Sequence, residues 1–242
     1  MPVPSHEKQS LMPASRWSLV LRASTEDAAA TRALGELMSL YWEPLYFYAR
    51  RRGWSVEDAQ DAVQGFYGEL LRREAVKRVD QARGRLRTFF LSAFENYLAD
   101  RWRAGQAQKR GGGEALLSLD VALAEDRLAT EPVDALSPGR LFDRRWISTL
   151  LERVLAALRA EYAAEGKGAL FEVAQAALAR DAAHFGYAEA GVALGLSENA
   201  MKKAVARLRA KYRETLQREI ADTLSDPADA ENEMHALLAA FA

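Results

Sequence analysis

The spacing of apolar residues is the feature that most constrains what this chain can fold into. Along almost every segment apolar side chains recur every three or four residues, and almost no segment alternates with period two. A three-four spacing places apolar side chains on one face of an α-helix, whereas a half-buried strand requires strict alternation. The sequence therefore predicts an all-α fold.

Three helices are predicted in the first half of the chain. The first spans Ala28 to Arg52, and Pro44 should bend or break it because proline removes a helical donor. Ser55 is the predicted N-cap of a second helix that runs to about Arg73. A third helix is predicted from about Arg85 to Arg103, and the three are expected to close a small domain.

An acidic stretch rich in helix breakers separates this half from the rest. Three consecutive glycines begin at Gly111, and Pro132 and Pro138 follow, so a continuous helix is disfavoured. Periodicity resumes at Leu141, and a further helix is predicted from Ala169 to about His184. The predicted division is an N-terminal extension at 1–27, a helical domain at 28–110, a linker with short helical pieces at 111–139, a second helical domain at 140–220 and an acidic tail at 221–242.

Charge is segregated along the chain although the formal net charge is only −1. Residues 83–110 carry seven basic side chains against two acidic ones, and residues 197–213 carry six against one. Residues 114–143 and 214–242 are acidic. Such asymmetry favours a polyanionic partner for the basic blocks. Either block taken alone is equally well explained as a solvated helix face.

The second basic block lies in a segment with the layout of a helix-turn-helix. Gly195 permits the positive φ of a tight turn, Leu196 is expected to fill the space between the helices, and Ser197 caps the second helix. In this motif the N-terminal part of the second helix enters the major groove of DNA. The residues predicted to face the groove are Ser197, Asn199, Lys202, Lys203, Ala206 and Arg207. An ordinary amphipathic hairpin with a basic face is the alternative.

Several classes of protein are disfavoured by what the sequence lacks. It has no Cys, and its three His residues are scattered, so neither a disulfide, a metal site nor a cofactor is expected. No Ser-His-Asp set or phosphate-binding loop stands out, which argues against an enzyme. The N-terminus lacks a signal-peptide pattern, and no apolar run approaches the roughly 20 residues that cross a bilayer. We expect a cytoplasmic protein without membrane contact.

Two blocks of sequence together resemble a known family. "SVEDAQDAVQGFYGELL" and "RLRTFFLSAFENYLADRWRAGQAQKR" resemble region 2 of bacterial RNA polymerase sigma factors, and "YAEAGVALGLSENAMKKAVARLRAKYRETL" resembles their region 4. Their order, joined by a linker without extra domains, is that of the extracytoplasmic-function (ECF) class of the sigma-70 family. The resemblance spans about 28–110 and 141–220. It implies a factor that directs core RNA polymerase to specific promoters and initiates transcription.

The resemblance also implies three working surfaces. Asp58, Asp61, Gln64 and Phe66 match the motif that docks on the clamp helices of the polymerase β′ subunit. Asn96 matches the residue at the tip of the loop that captures a flipped base of the minus-ten element. The residues expected to line the adjoining DNA path are Arg87, Arg101, Arg103, Lys109 and Arg110. Lys202, Lys203 and Arg207 match the readers of the minus-thirty-five element.

Some alternatives stay open at this point. A capping or structural role is the alternative for Asn96, and Phe90 and Phe94 are expected in the core. The partners implied are promoter DNA and core polymerase, through its β′ clamp helices and β flap, and an anti-sigma factor or a kinase is left open. A free-standing helix-turn-helix regulator and a helical adaptor are the rival functions.

Two segments carry further expectations. The docking motif holds fewer acids than usual, because Gln60 and Gly65 stand where acids are common, so weaker and more salt-sensitive docking is predicted. The acidic tail has an apolar stripe that includes Met234 and Leu237. We expect it to dock as a short helix that covers a basic face.

Overall fold

The described part of the structure is helical. The computed structural model describes residues 28–72, 84–105, 120–131, 136–179 and 184–239. Its α-helices are α1 (Ala28–Arg51), α2 (Val56–Arg72), α3 (Leu86–Gly105), α4 (Val121–Thr130), α5 (Pro138–Ala164), α6 (Gly168–Ala174), α7 (Tyr187–Val192), α8 (Glu198–Ala221) and α9 (Ala230–Ala239). Within these ranges there is no strand, and an isolated bridge joins Arg85 to Leu224. The predicted all-α class is confirmed.

Local signals mark the beginnings of helices correctly. The Ser55 hydroxyl accepts a hydrogen bond from the Asp58 N–H at 3.0 Å, and α2 begins at the next residue, Val56. The Ser197 hydroxyl accepts from the Ala200 N–H at 3.2 Å at the start of α8. Each cap satisfies an N–H group that has no partner within its helix.

Helix continuity differs from the prediction at two places. The expected break at Pro44 is wrong, since helix α1 continues through it, because its neighbours Leu40 and Leu45 are buried and packing outweighs the loss of one hydrogen bond. Helix α6 ends at Ala174, and a short 3₁₀ helix continues to Ala177 rather than an α-helix to His184. The Ala177 carbonyl accepts a hydrogen bond from Arg209 at 2.6 Å, so a distant side chain satisfies a group at this helix end.

The two halves of the chain share a core. The ring of Tyr41 in α1 stacks on Phe90 of α3, with centroids 4.2 Å apart, and on Trp146 of α5 at 6.2 Å. All three side chains are fully buried. Helix α1 is therefore packed between a helix of the first predicted domain and one of the second.

Helix α4, within the predicted linker, is docked on α1 by charged groups. Arg50 donates two hydrogen bonds to the Glu125 carboxylate, at 2.7 and 2.9 Å, and the Tyr46 hydroxyl donates a third at 2.7 Å. The hydrogen bonds from Arg50 lower the pKa of Glu125 despite its partial burial. Burial, together with the nearby Glu125 carboxylate, raises the pKa of Tyr46 far above its usual range. The predicted short helical pieces of the linker are thus confirmed in α4.

Candidate nucleic-acid and polymerase interface

Helices α7 and α8 form the predicted helix-turn-helix. Gly195 has a φ of 66° in the turn between them, where a side chain would be strained. Beneath the turn, the Leu196 N–H donates to the Gly191 carbonyl at 2.9 Å. Leu196 itself is 36% exposed and does not fill the space between the helices. Leu194 packs against the core instead, so the expected role of Leu196 is wrong.

The start of α8 presents the predicted groove-facing residues to solvent. Met201, Val205 and Leu208 are its buried stripe. The six residues predicted to face DNA are all exposed: Ser197, Asn199, Lys202, Lys203, Ala206 and Arg207. Lys202 also pairs with Glu198 at 2.7 Å.

The basic residues of α8 divide into two groups along the helix. Lys203 and Arg207 are exposed on its first half. Further along, Arg209 donates to the Ala177 carbonyl at 2.6 Å and Lys211 pairs with Glu161 of α5. Arg209 and Lys211 therefore fasten α8 to its neighbours, whereas Lys203 and Arg207 are positioned for a ligand. This division could not be predicted, because all of these residues occur in one basic run of the sequence.

Helix α3 also carries exposed side chains. Asn96 and Arg103 are exposed, Arg101 is a third exposed, and the Trp102 side chain is 67% exposed. Asn96 lies in the middle of α3, within the helix predicted from Arg85 to Arg103. Its contact with a flipped base and its alternative mid-helix structural role stay predictions. Lys109 and Arg110 lie outside the described residues.

Arg87, predicted on the same DNA path, is enclosed. Its Nε donates to Glu233 of α9 at 2.8 Å, and its Nη1 pairs with Asp143 of α5. Only 12% of the side chain is exposed, and the guanidinium lies 6.0 Å from the centre of the Trp146 ring. Burial alone would lower the pKa of Arg87, but the two carboxylates outweigh it and raise the pKa. In this arrangement Arg87 does not share the exposed face of Arg101, because its partners come from distant helices.

The predicted docking motif on α2 is only partly at the surface. Asp58 and Asp61 are exposed and Gln64 is half-buried. Phe66 is 3% exposed and packs against Phe94 with ring centroids 5.2 Å apart. The ring therefore supports the core beneath α2, and its contact with polymerase stays a prediction.

The charged surfaces of α2 and α3 adjoin. Arg101 Nη2 lies 3.8 Å from Asp61 Oδ2, and both side chains are at least one-third exposed. A polyanion bound at α3 would attract Arg101, and a basic partner bound at α2 would attract Asp61.

The comparison with known families covers both halves of this arrangement. A family model described as ECF sigma factor matches residues 25–218, from just before α1 into the last turns of α8. The chain belongs to the ECF sigma factor family. No curated protein and no solved structure matches it. Membership places this sigma factor in promoter-specific transcription initiation, with RNA polymerase and promoter DNA as partners.

The described ranges of this sigma factor add two observations. No helix in them combines the length and apolar character that crossing a bilayer requires. Nor do these ranges bring together three or more carboxylate or histidine side chains in a way that could hold a metal ion.

Gly65 of the sigma factor has a steric role that sequence reasoning missed. A Cβ at this position would lie 2.2 Å from the Tyr97 hydroxyl and 3.5 Å from Arg101 Nη1. Helices α2 and α3 therefore meet closely at this glycine. Gly65 stands where acids are common in this motif, but Tyr97 occupies the space that a side chain would need. A glutamate here would add a clash as well as a charge.

We predict that Gly65→Ala destabilises the sigma factor by about 1–2 kcal/mol, because the added methyl group overlaps the Tyr97 hydroxyl. Tyr97→Phe removes that hydroxyl, so the double variant should recover most of the loss. Urea unfolding of the single and double variants measures this coupling. Gly35→Ala is the matched control: Gly35 also lies in a helix, and a Cβ there meets no atom of the described residues within 4 Å. Equal effects of Gly65→Ala with and without the Tyr97 hydroxyl would contradict the assignment.

Proposed function

We propose that this sigma factor directs core RNA polymerase to specific promoters through two separate DNA-contacting surfaces. The observation that carries the proposal is the exposed basic start of α8 in a capped helix-turn-helix. The same chain also has the exposed side chains of α3. One surface reads duplex DNA upstream, and the other holds the strand that is melted.

The α8 surface is proposed to read the minus-thirty-five element. Lys202, Lys203 and Arg207 reach base edges or phosphates in the major groove, and the small Ala206 allows close approach. Ser197 and Asn199 lie at the leading end of the same face. Arginine can bind a guanine edge with two hydrogen bonds, which specifies sequence, whereas a phosphate contact mainly sets position.

The α3 surface is proposed to bind the melted minus-ten element. Extruding a base costs a few kcal/mol, which contacts to the flipped base must offset. Asn96 offers an amide to a base edge, Arg101 and Arg103 offer charge to the backbone, and the exposed indole of Trp102 offers a stacking face. This combination suits single-stranded DNA better than duplex.

Asp58 and Asp61 are proposed to dock on the β′ clamp helices, and the domain that contains α8 is proposed to contact the β flap. Complementary charge mainly raises the association rate and the specificity of docking. Because Asp61 lies 3.8 Å from Arg101, a basic clamp that engages Asp61 also frees Arg101 for DNA. Docking and promoter melting are linked in this way.

Run-off transcription with core polymerase on a promoter library tests the proposal. We expect transcripts that start at a fixed distance from a shared upstream motif, and only when both the chain and core polymerase are present. A free-standing regulator would instead protect duplex DNA tightly without polymerase. That protection pattern, without transcripts, would contradict the proposal.

We predict that Arg207→Ala lowers transcription from the selected promoter by about ten-fold, since a bidentate base contact is worth about 1–3 kcal/mol. Its preference at one upstream position should also relax. Arg218→Ala is the matched control: it removes the same charge from an exposed site of α8, about 16 Å further along the helix. Equal losses in both variants would point to general charge rather than base reading.

We predict that Asn96→Ala impairs melting of the minus-ten element. Open-complex formation should fall more on duplex promoters than on templates with a pre-opened bubble, because the bubble has already met the cost of unpairing. Permanganate footprinting of both templates measures this. Equal losses on the two templates would indicate a defect of the fold instead.

A further inference from the structure

The segment after α8 is bonded to the residues that lead into α3. The Leu86 N–H donates to the Thr223 carbonyl at 2.9 Å, and the Ser225 N–H donates to the Gly84 carbonyl at 3.0 Å. These two bonds flank the isolated bridge between Arg85 and Leu224. The end of the helix-turn-helix half is thereby joined by backbone to the start of the proposed melting helix.

Helix α9 closes over this junction with one buried carboxylate. Glu233 is 2% exposed, and its two oxygens lie 2.8 Å from Arg87 Nε and 2.9 Å from Arg85 Nε. Arg87 is bonded in addition to Asp143 of α5. Arg85, just before α3, and Arg87, in its first turn, are thus neutralised by carboxylates from the second half of the chain.

We propose that residues 223–239 form a latch, which keeps Arg85 and Arg87 from nucleic-acid phosphate and is released when phosphate replaces the Glu233 carboxylate. The proposal rests on the proposed function in one respect, since it takes promoter DNA as the polyanion. The latch covers a part of the basic block at 83–110, in line with the face that the acidic segment was expected to cover.

The ion pairs of Glu233 with Arg85 and Arg87 are better suited to release than to permanent stabilisation of the fold. A buried ion pair adds little net stability, because removing its charges from water offsets their attraction. Arginine binds phosphate with the same fork of donors that it presents to a carboxylate. DNA can therefore take over both guanidinium groups without leaving either unpaired.

The packing of α9 indicates which side of the latch parts. Helix α9 buries Ala230, Met234 and Leu237 and packs on α8 and α5. The bonds described above toward residues 84–87 are ion pairs and two backbone hydrogen bonds. Release therefore separates α9 from the start of α3, while α9 stays with α8. Arg85, which is 49% exposed, is freed more readily than Arg87.

Hydrogen exchange of the full chain tests the latch at the Leu86 and Ser225 amides. In Glu233→Gln we expect both amides to exchange about ten-fold faster, because local opening sets their protection. Amides in the core of α1 and α2 should keep their protection. Glu231→Gln is the matched control: it removes the same charge from an exposed site of α9, so neither amide should change.

A second measurement uses a 20-base-pair duplex of non-promoter sequence at low salt. Adding it to the parent chain should speed exchange at the same two amides. Glu233→Gln should bind it about three-fold or more tighter than Glu231→Gln, because Glu233 no longer neutralises Arg85 and Arg87. Equal affinities of the two variants would overturn the latch, as would faster exchange across the whole chain.

A milder variant covers the case in which Glu233→Gln fails to fold. Arg85→Gln removes only the half-exposed partner of Glu233, and we expect both amides to exchange faster while the core stays protected. Unchanged exchange in that variant would overturn the latch. A chain that fails to support transcription but still opens at these amides with DNA would refute the proposed function and leave the latch standing.

Discussion

Arg145→Met should lower the free energy of unfolding by about 3–4 kcal/mol, within the range typical of removing one partner of a buried ion pair. The Arg145 side chain is 7% exposed, and its Nε lies 3.2 Å from Glu43 Oε1. Its Nη2 donates to Glu152 at 2.8 Å. Among the described residues, Glu43, itself buried in α1, would keep Arg127 as its one ionic partner. The pair joins α1 to α5, so the loss should loosen the contact between the two halves.

Two further variants give this prediction its contrast. Arg159→Met removes an exposed arginine of the same helix, which pairs with Glu172 at 2.9 Å, and should cost less than about 1 kcal/mol. Glu43→Leu combined with Arg145→Met removes both buried charges and should recover most of the stability. Midpoints of urea unfolding measure all three. A double variant as unstable as Arg145→Met would show that the charges themselves hold the halves together.

Gly191→Ala is expected to cost about 2–3 kcal/mol, the range typical of overpacking at a tight contact. A Cβ there would lie 2.7 Å from the Leu196 carbonyl oxygen. That oxygen belongs to the backbone of the turn, so it cannot move without opening the helix-turn-helix. The methyl group should therefore also reduce DNA binding by α8.

Gly195→Ala provides the comparison for this prediction. It meets nothing within 4 Å, but its φ of 66° carries a strain of about 1 kcal/mol for an L-residue. We expect Gly191→Ala to be the more destabilising of the two in thermal unfolding. The reverse order would show that the positive φ of Gly195 matters more for stability than the close contact at Gly191.

Features set by neighbouring residues could be predicted from the sequence. Ser55 and Ser197 cap helices because a hydroxyl reaches an N–H three residues on, and Gly195 is suited to its turn by its own freedom. The spacing of apolar residues likewise predicted the buried stripe of α8. These signals all act within one or two turns of helix.

Features set by tertiary contact could not be predicted in this way. Phe66 lies in a motif associated with a surface, yet the rings of α3 enclose it. Arg87 pairs with carboxylates 56 and 146 residues away along the chain, and nothing near it in sequence indicates them. Gly65 looks like a missing charge until the position of Tyr97 is known. In each case the deciding partner belongs to another helix.

The docking of α4 on α1 limits the length of the free segment that connects the two halves of the chain. Only residues 131–137 separate α4 from α5, and seven extended residues span at most about 25 Å. If the contacts of α4 with α1 break, those of Arg50 and Tyr46 with Glu125 and that of Arg127 with Glu43, the tether becomes residues 106–137, with a span of at most about 110 Å. A small set of side-chain contacts thus determines whether the connecting segment is short or long, and with it the separations of two DNA sites that a single chain can bridge.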